Sequence, residues 1–201
     1  MDGAIEHDEL AKEHLDSPWG EWGRTATLSL VALVSKFVVN VMNTSSFHNR
    51  EGLLEAVMDR PEGMGLITVS NHTSTLDDPM LFSAMLPWSF FLSEHVHKRV
   101  RWSLCAREMC YRNWFLSQFF KSGKTLPVER GAGLHQPIMT VVAKAVASGD
   151  WVHVFPEGRI NYSGTLSSCR WGVGKLFCDA YIQSGRYIDF GMLPQYIHER
   201  N

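Results

Sequence analysis

The chain has 201 residues, enough for one folded domain, with the 45% hydrophobic and 20% charged content of an ordinary globular protein. A formal net charge of −2 excludes the basic balance of a nucleic-acid binder and any strong steering field. The four cysteines, Cys105, Cys110, Cys169 and Cys178, show neither zinc-ligand spacing nor a secreted disulfide framework, so they read as ordinary thiols.

Residues 1–23 set Asp2, Glu6, Asp8, Glu9, Glu13, Asp16 and Glu21 against a single Lys12. A secretory signal starts basic and then turns apolar, and a mitochondrial presequence is rich in arginine. This segment is neither, and it reads as a flexible, solvated acidic tail with no visible presequence. Residues 24–44 are largely apolar, and Thr25, Ser29, Lys36, Asn40 and Asn43 are offset by 4, 7, 4 and 3 and so share one helical stripe. A wide apolar face with a narrow polar stripe suits a helix lying in a bilayer interface, with the stripe at headgroup level. The same pattern also suits a helix packed on a domain core.

From residue 50 to residue 201, helical and strand patterns alternate. Helices are expected over 51–59, 79–85, 113–120, 137–147 and 171–182, with Asp78 as N-cap and Pro79 in the first turn of the second. Strands are expected over 65–69, 125–128 and 151–155. Strands separated by helices of this length predict an α/β domain, a central sheet flanked by helices, following the tail and the first helix.

Two segments that follow expected strands carry chemistry, and in α/β sheets ligands gather beyond the carboxyl ends of strands. The first, Asn71-His72-Thr73-Ser74-Thr75-Leu76-Asp77, spaces an imidazole and a carboxylate by four residues in a polar turn. A carboxylate on one ring nitrogen fixes the tautomer and makes the other nitrogen a general base. On this segment alone, a helix-capping Asp77 beside a surface His72 explains the residues equally well. The second segment, Phe155-Pro156-Glu157-Gly158-Arg159, sets an acid and a guanidinium around a glycine that permits close backbone approach. Arg130 similarly follows the extended run at 125–128. Both arginines also fit plain surface pairs with Glu129 and Glu157.

Other chemistries lack their motifs. There is no G-x-S-x-G, so Ser70 and Ser74 have no nucleophile-elbow context. Gly123-Lys124-Thr125 would close a P-loop, but residue 118 is Gln118. His95 and His97 have no evident third metal ligand.

The ordered set Asn71-His72-x4-Asp77, Gly123 to Pro127-Val128-x-Arg130-Gly131 and Phe155-Pro156-Glu157-Gly158 resembles the glycerolipid acyltransferase superfamily. The likeness spans residues 24–182. It is strengthened by Leu66-Ile67-Thr68-Val69-Ser70, by Gly149-Asp150-Trp151-Val152-His153 and by Arg170-Trp171-Gly172-x-Gly174. It implies a single domain of that fold and a His72–Asp77 catalytic dyad. It also implies that Arg130 contacts phosphate, and that Glu157 and Gly158 bind the acceptor with Arg159 as a basic neighbour. The implied reaction moves acyl chains between phospholipids and lysophospholipids without coenzyme A, metal or cofactor, as in cardiolipin remodelling. The implied setting is a membrane surface on the intermembrane-space side of mitochondria. Alternatives are a coenzyme A-dependent lysophosphatidic-acid acyltransferase and an inactive, shortened lipid-binding form. The pattern also implies a last strand beside the one ending at Phe155, of which residues 190–194 are a loose version. The end at Asn201 therefore reads as shortened.

Overall fold

The computed structural model describes residues 2–43, 47–91, 93, 96–163 and 165–193. Helices α1 (Asp2–Leu15), α2 (Gly20–Phe37) and α3 (Arg50–Met58) precede the first strand, β1 (Leu66–Ser70). There follow α4 (Asp77–Met85), the single turns α5 (Trp88–Phe91) and α6 (Val96–Arg99), β2 (Trp102–Ala106), α7 (Arg107–Cys110) and α8 (Trp114–Ser122). The chain continues through β3 (Thr125–Val128), α9 (Pro137–Ala147), β4 (Trp151–Val154), α10 (Gly172–Ser184) and β5 (Asp189–Leu193). Residues 194–201, expected inside the domain, and His95 of the histidine pair lie outside the described residues.

The strands form one parallel sheet in the order β3-β2-β4-β1-β5. Parallel strands covered on both faces need apolar side chains on both sides. Alternate residues accordingly serve two cores. Ile67, Val69 and Val152 pack with Val141, Val142, Leu176 and Ala180 of α9 and α10. Leu66 and Trp151 face the other way, onto Leu28 of α2 and Phe82 of α4. The connection leaving β1 leads toward β2 and β3, whereas the one leaving β4 leads to β5. The strand order therefore reverses between β1 and β4, and their carboxyl ends bound a crevice of the kind that binds ligands in open α/β sheets.

Several expectations change. The acidic segment is helical rather than a flexible tail, because Leu10, Ala11, His14 and Leu15 share one face. Ala11 is buried in the core that α9 builds, and Lys12 in the last turn complements the helix dipole. In α2 the polar stripe is divided. Lys36 is buried, with Nζ donating to the Leu86 carbonyl at 2.6 Å, and Ser29 Oγ donates to the Phe91 carbonyl at 3.3 Å. Asn40 and Asn43 stay exposed. Thus Lys36 lies against the domain rather than at headgroup level, and the exposed face is the apolar one. Asp78 does not cap α4, which begins at Asp77; its carboxylate binds Arg101 at 3.0 and 2.6 Å. Cys105 and Cys110 form a disulfide across the turn from β2 into α7, with Cα atoms 6.2 Å apart, while Cys169 and Cys178 are free and exposed. The last strand, β5, pairs with β1 rather than with the strand ending near Phe155, whose two sides are taken by β1 and β2.

Candidate active site

The loop between β1 and α4 is shaped by one carboxylate. Asp77 Oδ2 accepts the backbone N–H groups of Thr73 at 2.6 Å and Ser74 at 2.8 Å, and lies 3.1 Å from His72 Nδ1. The four residues between them thus close a turn on the Asp77 side chain. Burial alone would raise the Asp77 carboxyl, but the hydrogen bonds from His72, Ser74 and Thr73 outweigh it and hold the group below the usual carboxylate range. A carboxylate at Nδ1 accepts a proton held there, so Nε2 is the ring nitrogen that faces away from Asp77. Asp77 thus both starts the helix and contacts the imidazole.

The His72 ring is stacked on Phe155, with centroids 3.9 Å apart and planes 15° from parallel. Phe155 in turn meets the edge of His153, which is fully buried between Thr68 Oγ1 at 2.9 Å and Ser70 Oγ at 3.1 Å. Trp151 Nε1 also donates to Thr68 Oγ1, so both ring nitrogens of His153 and the indole share the two hydroxyls. Burial pushes His153 down to about 3, which keeps the ring neutral.

The second loop grips the backbone of the first. Glu157 is buried, and its Oε1 accepts the His72 N–H at 3.1 Å. Its Oε2 accepts from Asn161 Nδ2 and from the Ser167 N–H, both at 3.3 Å. Burial would raise this carboxyl too, yet the donors of His72, Ser167 and Asn161 bring it below its ordinary value. Asn161 N–H also donates to the His72 carbonyl at 2.7 Å. Both backbone polar groups of His72 are therefore held by the loop after β4. Gly158, at φ +66°, makes the turn possible; a Cβ there would lie 3.0 Å from Arg170 Nε.

Of the residues singled out from sequence, the fold brings together His72, Asp77, Glu157 and Gly158, with the exposed Arg159 on the same loop. Glu157 turns inward to His72 rather than outward to a ligand. Arg130 stands apart. It follows β3, three strand steps from β1, or roughly 14 Å at the usual interstrand spacing. Its Nη1 lies 3.4 Å from Glu108, while Glu129 pairs with Arg107 instead. Asn161, Ser167 and His153 escaped sequence reading, since nothing in their spacing signals a bond across to the β1 loop. Among the described residues no cluster of three or more acids, histidines or cysteines has the geometry to hold a metal.

The family model described as Acyltransferase matches residues 46–196. A Drosophila melanogaster protein named Tafazzin is 37% identical over 153 residues, covering 76% of this chain and 39% of the relative. An Arabidopsis thaliana N-acylphosphatidylethanolamine synthase is 37% identical over 154 residues, 76% of this chain and 53% of the relative. A Dictyostelium discoideum protein named Taffazin is 32% identical over 179 residues, 87% of this chain and 60% of the relative. The chain thus spans about two fifths to three fifths of the length of these relatives.

Proposed function

Since the chain belongs to the acyltransferase family, we propose that it transfers a fatty acyl group between a phospholipid and a lysophospholipid at a membrane surface. The observation that carries this reading is the 3.1 Å contact of His72 Nδ1 with Asp77, at the crevice where the strand order reverses. His72 Nε2 removes the proton of the lysophospholipid hydroxyl as its oxygen attacks the acyl carbonyl. Asp77 stabilises the imidazolium, which then protonates the departing alkoxide. No acyl-enzyme forms. The resemblance to tafazzins favours a phospholipid donor and a cardiolipin-type acceptor in mitochondria, with Arg159 as a basic neighbour of the lipid phosphate.

The membrane contact in this proposal is α2. Leu30, Leu33, Val34 and Phe37 are each more than half exposed and recur at helical spacing, opposite the buried Leu28 and Ser35. Together with the π-helical turn Val38–Met42, the segment is long and apolar enough to cross a membrane. With part of its polar stripe bonded to α4 and α5, it fits an orientation in the bilayer interface better. The experiment is to incubate the protein with labelled phosphatidylcholine and lysocardiolipin, with and without coenzyme A. Transfer without coenzyme A is expected. Transfer only from acyl-coenzyme A would replace the transacylase reading with the lysophosphatidic-acid one. Lipid binding without any transfer would leave a binding protein. An N-acylated phosphatidylethanolamine product would move the acceptor from hydroxyl to amine, the product named for the Arabidopsis relative.

A further inference from the structure

On the α10 side of the sheet, next to the loop that holds His72, lies an apolar groove of about 320 Å³, within the range of small-ligand pockets. Its floor is Val69 with Phe190 and Met192 of the edge strand β5. In the register Ile67 pairs with Phe190 and Val69 with Met192, so all of these point to the α10 face. Its wall is the start of α10, with Trp171, Val173 and Gly174. Met192 is 70% exposed and Trp171 84%, so the groove is rimmed by uncovered apolar surface of a kind that marks a binding site.

Two details say what fits there. Gly174 sits in the first turn of a helix, where glycine costs up to about 1 kcal/mol relative to alanine, and a Cβ built on it meets nothing within 4 Å. The glycine leaves open groove rather than permitting a close helix contact. At the groove's mouth stand Pro156, whose carbonyl accepts the Arg170 N–H at 2.9 Å, and the exposed Arg170 guanidinium lying over Gly158. The Arg170 side chain has no hydrogen bond or ion pair among the described residues. An apolar trough ending in an exposed guanidinium, unpaired among the described residues and a single loop from His72, is complementary to an anionic lipid.

We propose that this groove receives a fatty acyl chain of a phosphate-bearing lipid, with Arg170 binding the phosphate. The assignment rests on the acyl-transfer reading for its role, but its test needs no turnover. Cys169, just before α10, lines the groove and is free, and Cys178, within α10, is a free, exposed control outside it. Maleimide labelling of the two thiols is followed with a long-chain alkyl phosphate presented as monomer. Inorganic phosphate alone and an alkyl maltoside of the same chain serve as comparisons. At roughly ten times its dissociation constant the alkyl phosphate should slow Cys169 about tenfold, since only free protein reacts, and leave Cys178 unchanged. Inorganic phosphate should not protect, and the maltoside should protect less. Arg170→Gln should remove the preference for the phosphate head. Gly174→Phe, which fills open space and relieves a helix glycine, should keep the thermal midpoint while abolishing protection. Unchanged Cys169 labelling by a protein that nevertheless transfers acyl chains overturns the groove and spares the enzyme reading. Equal protection of both thiols, or full protection in Gly174→Phe, also overturns it. Selective Cys169 protection in a protein that transfers nothing upholds the groove and removes acyl transfer.

Discussion

Replacing Glu157 by Gln separates two roles for that acid. The resemblance makes it an acceptor-binding residue, whereas its carboxylate is occupied by the His72 N–H on one oxygen and by Asn161 and Ser167 on the other. An amide of the same shape has one acceptor and one donor. If its oxygen faces His72, its NH₂ confronts two donors; if it flips, it confronts the His72 N–H. At least one charge-assisted bond is lost in a buried site, at about 1.5–3 kcal/mol. For a chain of this size that lowers the thermal midpoint by roughly 3–12 °C. Loosening the His72 backbone should also lower kcat about tenfold, while KM for the acceptor stays near its original value. Acid unfolding gives a second readout. The folded carboxyl is held below its unfolded value, so its contribution is full above about pH 4.3 and is lost as pH falls through the lowered value. Glu157→Gln should lack that share of the acid sensitivity. Thermal melts, acid titrations and steady-state transfer decide the matter. A raised KM with an unchanged midpoint would refute the positioning role and restore the acceptor-binding one.

Other outcomes follow from the same geometry. His72→Ala should remove about 10²–10⁴-fold of the transfer rate with lipid binding retained, and Asp77→Asn nearly as much by favouring the wrong tautomer; near-normal turnover in both would dismiss the dyad. Leu33→Glu with Phe37→Glu alters exposed positions of α2, so vesicle flotation should fail while the midpoint moves by less than about 1 kcal/mol equivalent. Unaltered flotation would place the membrane contact elsewhere. Burial pushes Lys124, beside Asp150 at 3.8 Å, down to about 8. Between that value and about 10.4 the unfolded chain binds the extra proton, so stability should rise with pH across this window. Lys124→Met should flatten the rise in denaturant titrations, and an unchanged slope would show that the ammonium is solvated.

Local chemistry made much of this protein legible in sequence. The strand at 125–128 and the helix at 137–147 appear at the expected residues, because a short apolar extended run around Pro127 and a Pro-initiated apolar period are local signals. The contact between His72 and Asp77 was legible for the same reason: four residues are the span that one carboxylate closes into a turn. What local pattern left open was direction and partnership. The stripe on α2 was visible, but only packing could decide that Lys36 faces the Leu86 carbonyl and the valines and leucines face out. The acidic first segment became a helix because α9 offers a surface for Ala11, a contact across more than a hundred residues. Asn161 and Glu157 hold both sides of the His72 backbone because β4 lies beside β1, and Arg130 stands away because β3 is at the far edge. Sequence specified the His72–Asp77 contact, on which the proposed chemistry rests, through spacing within a turn. Tertiary structure alone decided which of the remaining groups reach that pair, because strand order sets those distances and is encoded in no short stretch of chain.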